Sequence, residues 1–234
     1  MTEMRKEYRP PHGRGYRGVA AATLVSLFGI LLWEAAGRDM AWAGAFGDGN
    51  GFAWRSHWLF SGVLHGGGRR ASWALALGLC LGVWWPMGIL RRIDLSRRLQ
   101  LVVTVMMASA LVSAMKVGSG SSCPWDMQAF GGVAHHVPHW RLWGLPDGGS
   151  GHCFPAGHAS AGFSFLAGWF AFRESPRVAN AWLCGAIGAG LLFGLAQQVR
   201  GAHFMSHTLW TGWICWVVAW GMDVAWPRFA EVVA

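Results

Sequence analysis

Six stretches of this chain are long and apolar enough to cross a bilayer, and that single feature excludes most soluble architectures. They run over about 18–37, 72–90, 99–115, 157–173, 179–199 and 206–226. Charged or Gly/Pro-rich segments separate them, as loop signals should. Of the 234 residues, 53% are hydrophobic and only 13% are charged, whereas a soluble domain carries about twice that charged share. Seventeen Trp and thirty-four Gly fit the same reading, because Trp anchors membrane interfaces and Gly lets helices approach closely in lipid. The expected fold is all-α: one domain, a six-transmembrane-helix bundle spanning the chain. Ala41-Trp42-Ala43 has the small-residue spacing of a signal-peptide cleavage site, but the preceding apolar run is longer than a signal core, so it is expected to stay as an anchor.

The net charge of +8 raises nucleic acid as a partner, and its distribution argues against that. Arg5, Lys6, Arg9, Arg14 and Arg17 precede the first apolar run, and Arg91, Arg92, Arg97 and Arg98 crowd one short loop. With the amino terminus in the cytoplasm, twelve of the nineteen basic residues fall inside, as the positive-inside rule asks. The segment 38–71 is then an outer loop. Phe52, Trp54, Trp58, Leu59 and Phe60 predict that it lies in the interface or forms a short helix there.

The unusual polar residues collect at the outer ends of the spans. Lys116 closes the third span, His158 opens the fourth, and Gln197, Arg200, His203 and His207 sit between the fifth and sixth. Ionisable groups at span ends are costly unless paired or used, which makes them functional candidates. Lys116 and Arg200 suit phosphate oxygens. Pro155-Ala156-Gly157-His158 begins a helix with small residues, leaving backbone N–H groups for an anion. His203 and His158 titrate near neutrality and can serve as nucleophile and proton donor. A competing reading puts a metal on His203 and His207, four residues apart, with His158 or His152 completing the set. No Glu lies within that pair, and beyond Asp126 and Asp147 the sequence offers no obvious carboxylate ligand. His135, His136, His139 and His152 read as surface loop residues.

The pattern resembles the type 2 phosphatidate phosphatase (PAP2) superfamily, whose membrane members have six spans and the motifs K-x6-R-P, P-S-G-H and S-R-x5-H-x3-D. Here Lys116 stands seven residues before Cys123-Pro124, followed by Pro155-Ala156-Gly157-His158 and then Ala196-Gln197, five residues, His203, three residues and His207. The resemblance implies that His203 attacks phosphorus and His158 protonates the leaving group. It also implies that Lys116 and the backbone of Ala156 and Gly157 hold phosphate oxygens, with no metal or other cofactor. Three positions depart: Cys123 and Gln197 replace arginines, and His207 replaces the aspartate that orients the nucleophile. Arg200, three residues from both Gln197 and His203, is expected to supply the missing guanidinium, with Arg141 a second source. Cys123 and Cys153 both fall in the outer loop beside motifs and are expected to form a disulfide on an oxidising side. Cys80, Cys184 and Cys215 are expected to be buried thiols.

The implied function is a membrane lipid phosphatase that hydrolyses a phosphate monoester or diphosphate of a lipid headgroup through a phosphohistidine. The expected setting is a bacterial inner membrane with the site facing the periplasm or exterior. Its expected partners are the lipid phosphate and the surrounding membrane lipids, not nucleic acid. A lipid-to-lipid phosphotransferase and a non-catalytic phospholipid-binding relative are the alternatives.

Overall fold

Two Arg-rich turns and the apolar runs between them set the frame. The computed structural model describes residues 14–138 and 147–233, with side chains described from 16 to 138 and from 147 to 227. Arg14–Ala35 forms α1 and Arg38–Ala43 forms α2. A π-helical segment, Leu59–Gly67, runs straight into α3, Gly68–Trp84. Asp94 caps α4, Leu95–Val117, by accepting the Arg97 backbone N–H at 2.8 Å. After a long excursion come α5, Gly157–Phe163, a 3-10 turn, Ser164–Leu166, and α6, Ala167–Ala171. Pro176, in the first turn that favours it, starts α7, Pro176–Val199, and α8 runs Met205–Val233. Among the described residues every regular element is helical, apart from two isolated bridges, Asp48 with Gly51 and Met127 with Ala134.

Four helical stretches are apolar and long enough to cross a membrane: Tyr16–Ala35, Leu59–Arg92, Leu95–Val117 and Pro176–Val199. This differs from the six expected. The stretch beginning at Gly157 is interrupted by its 3-10 turn and ends at Ala171. The final helix is long, but its apolar surface is largely Trp and it carries the buried Asp223. The second expected span also begins earlier, because the π-helical segment belongs to the same rod as α3. The expected outer loop therefore holds α2 and that π-helical segment.

Burial explains the short α5–α6 pair. Phe163, Phe165, Leu166, Phe170 and Phe172 sit in the main core with Leu101, Val105 and Val112 of α4 and Cys215 of α8. Side chains of α1, by contrast, stand outward, with Leu24, Val25 and Phe28 about two-thirds exposed, as a lipid-facing helix should be. Gly162 lets α5 lie directly on α7: a Cβ there would come within 2.6 Å of the Ala189 carbonyl carbon. At the basic end, the buried Asp223 carboxylate takes Arg97 at 2.8 Å and Arg173 at 2.8 Å, plus Tyr16 at 3.1 Å and Gln100 at 3.2 Å. One acid thus ties α1, α4, the α6–α7 turn and α8 together.

Candidate active site

Helix α4 carries Arg97 near its start and Lys116 near its end, about 30 Å apart at 1.5 Å per residue. Lys116 therefore lies roughly a bilayer core away from the Asp223 cluster. Beside it starts α5. A Cβ on Gly157 would sit 3.7 Å from Lys116 Cδ and 3.9 Å from its Nζ, so the ammonium lies against that helix start. The Ala156 N–H is not open to an anion as expected. It donates to Thr211 Oγ1 at 2.9 Å, and that hydroxyl in turn donates to the His207 carbonyl at 2.7 Å. The next amides at this helix start are those of Gly157 and His158.

His203 reaches the same place from the turn between α7 and α8. Gly201, at φ +75°, makes that turn, and a Cβ there would run into the Phe52 ring. Asp39 of α2 then holds the first turn of α8: it accepts the Ser206 N–H at 3.0 Å, the Ser206 hydroxyl, and Trp33 Nε1 at 2.8 Å. His203 Nδ1 stands 3.5 Å from His207 Nδ1. A proton shared between those nitrogens sits on one of them. With it on His203 Nδ1, His203 Nε2 keeps a free lone pair. His203 is 4% exposed, and burial above all holds it well below the usual imidazole range. The Lys116 charge pushes in the same direction, while a hydrogen bond to the Cys153 backbone opposes it. The resting ring is neutral, the form a nucleophile needs.

The charges and dipoles acting on His203 include those of Lys116, His158 and His65. Residues from three helical segments and the α7–α8 turn thus meet in one neighbourhood. His158 Nε2 is buried and has no hydrogen-bond partner. Gln197 is 2% exposed; its Oε1 accepts Arg200 Nη1 at 3.0 Å, while its Nε2 is likewise unpartnered. Buried polar atoms left unpaired cost free energy, so two of them here mark a place built for something else to pair with. Arg200 is braced from the other side by the Arg55 carbonyl at 2.9 Å, and its charge reaches His65. A cavity of about 320 Å³ opens beside Lys116 and His158, and runs from Arg69 past Ser113 and Ser109 down to the apolar Met106 and Phe165.

Cys123 and Cys153 are joined by a disulfide. It fastens the loop bearing Cys153 to that bearing Ser121, and Cys153 N–H donates to Ser121 O at 2.9 Å. The position that aligns with a motif arginine is therefore occupied by a cross-link, not by a free thiol. Of the other cysteines, Cys215 is buried, Cys80 is half-buried and Cys184 is exposed along α7. His135, His136 and His152 are exposed. His139 and Arg141 lie outside the described residues. Among the described residues, no three His, Cys, Asp or Glu side chains group as a metal site.

Sequence reasoning missed His65 and Arg69. His65 lies face to face on His158, ring centroids 3.6 Å apart at an interplanar angle of 17°. Its one signal in the sequence is a lone histidine inside a glycine-rich run, Gly62 to Gly68. Comparison with known proteins adds one finding. The family model described as the PAP2 superfamily matches residues 97–229. No curated protein and no solved structure matches the chain.

Proposed function

The chain belongs to the PAP2 superfamily, whose members are phosphatases, and from that premise we propose that it dephosphorylates a lipid in the membrane that surrounds it. The observation that carries this reading is the pair of unpartnered buried nitrogens, His158 Nε2 and Gln197 Nε2, in a site that also gathers Lys116, Arg200 and a neutral His203. A phosphate group supplies oxygens to which Gln197 Nε2, Lys116 and Arg200 can donate, and an anion beside which His158 Nε2 can take up a proton.

In this scheme His203 Nδ1 gives its hydrogen bond to His207 and Nε2 attacks phosphorus. Once the bound phosphate offsets the surrounding cations, His158 Nε2 takes up a proton, and the bond to the lipid oxygen breaks as that nitrogen hands the oxygen this proton. A phosphohistidine and a free lipid alcohol result. Water then attacks phosphorus, giving its proton to His158, and the bond to His203 breaks to release inorganic phosphate. Lys116, Arg200 and the Gly157 and His158 amides stabilise the charge on the equatorial oxygens. His207 takes the place of an orienting carboxylate.

We read six crossing segments: the four apolar ones, α5–α6 and α8. The last two need less lipid-facing apolar surface, since α5–α6 is wrapped by protein and α8 presents Trp. The basic cluster of Arg91, Arg92, Arg97, Arg98, Arg173 and Arg177 supports taking that end as cytoplasmic and the site as outward-facing, in what we propose is a bacterial inner membrane. A lipid can then keep its tail in the bilayer while its headgroup enters beside Lys116.

The test is phosphate release by purified protein in detergent, with EDTA present, across phosphatidate, isoprenyl diphosphate and lipid A. Release from one of them, an acid-labile phosphoprotein during turnover, and loss of both in His203→Ala are expected. Activity that disappears with EDTA and returns with zinc, or no turnover of any of these lipids, overturns the reading.

A further inference from the structure

His158 is the residue whose aim decides whether a leaving oxygen receives its proton, and one residue grips it twice. The face of its ring is covered by the His65 ring, 3.6 Å away between centroids. The ring also hydrogen-bonds the His65 backbone. Because Nε2 has no partner, that bond belongs to Nδ1, which leaves Nε2 facing the empty position. The support behind His65 is stiff. Gly68, three residues on, lies so close to α7 that a Cβ would come within 2.6 Å of Phe193 Cε1. The π-helical segment is thereby seated on the helix that leads to Gln197 and Arg200.

We propose that His65 is a positioning residue for the leaving-group step: its stacked ring fixes the plane of His158 and so directs Nε2 at the ester oxygen. This rests on the reading of His158 as the proton donor. The groups facing the pair are Lys116 of α4, Arg69 of α3 and Arg200 at the end of α7, with His203 beyond them. These cations hold the His158 ring without a second proton until a bound phosphate anion offsets them, and none can replace the stacking surface. His65 itself need not carry a proton for this role. A flat ring of similar size suffices.

The experiment compares the parent protein, His65→Ala and His65→Phe on two substrates, a dialkyl lipid phosphate and p-nitrophenyl phosphate. An alkoxide is a poor leaving group and needs the acid, whereas nitrophenolate leaves without it. General acid catalysis is worth about 10²–10⁴-fold; a misaimed acid is expected to lose about tenfold or more of it. His65→Ala should therefore lower kcat on the lipid by about that factor, with KM near the parent value and p-nitrophenyl phosphate changed by less than about threefold. His65→Phe should restore lipid turnover to within about threefold. Equal losses on both substrates, no loss on either, or a Phe variant as poor as the Ala variant would each overturn the positioning role while leaving the phosphatase reading intact. A parent protein that cleaves neither substrate nor any lipid of the panel above overturns the phosphatase reading and this inference with it; one that cleaves the diphosphate alone overturns this inference only.

Discussion

Gly162→Ala tests whether the distance between α5 and α7 sets the site. The added methyl would lie 2.6 Å from the Ala189 carbonyl carbon and 2.7 Å from Gly190 Cα, with the Gly190 nitrogen closer still. Those atoms are backbone and cannot rotate away. Restoring an ordinary contact of about 3.4 Å requires the helices to part by at least about 0.8 Å at their crossing. His158 lies one helical turn above Gly162 on α5, and Gln197 lies two turns beyond Gly190 on α7. The widened crossing therefore separates His158 from Gln197 and Arg200. A displacement near 1 Å costs on the order of a hundredfold in rate, so kcat/KM should fall roughly ten- to a hundredfold. Overpacking of this kind costs about 1–3 kcal/mol, which a thermal melt reads as several degrees. The assay is steady-state phosphate release alongside a melt of the same detergent-purified samples. Gly188→Ala, on the facing helix α7 with nothing within 4 Å of the added methyl, is the control and should match the parent. A Gly162→Ala protein with parental kcat/KM and parental melting would refute the argument that this crossing holds the site.

Asp223→Asn should destabilise the protein by about 3–5 kcal/mol, because it leaves Arg97 and Arg173 without their shared carboxylate; the melt should drop sharply while KM, set at the other end of α4, stays put. His203 sits well below its ordinary value of 6.5, so its contribution to stability is present above 6.5 and is lost as pH falls through that range, where the unfolded chain takes up the proton. The parent should thus lose more melting temperature than His203→Gln between pH 7 and pH 5, and parallel losses would count against a buried neutral ring. Arg200→Ala should lower kcat/KM by about ten- to a hundredfold, the worth of one charge-assisted hydrogen bond; a change under twofold in phosphate release would show that the missing guanidinium comes from elsewhere.

Much of this protein is legible in its residues. Apolar length alone identifies α1, α3, α4 and α7, because a segment that meets lipid has no other way to satisfy its surroundings. Motif spacing singles out Lys116, His158 and His203, because a helix start and a span end fix where such side chains can stand. What packing decided lies elsewhere. Whether the Ala156 amide could greet an anion depended on Thr211, fifty-five residues away, which claims it. The continuity of the α5–α6 stretch was settled by aromatic packing inside the bundle, where burial by protein relaxes the demand for one unbroken apolar rod. His65 gave no periodic signal, and only the seating of Gly68 on Phe193 brings its ring onto His158. Local composition determines which segments must face lipid, since that cost is paid residue by residue. The partners of each imidazole come from segments distant in sequence, and only the close approach of glycine backbones decides which of them meet.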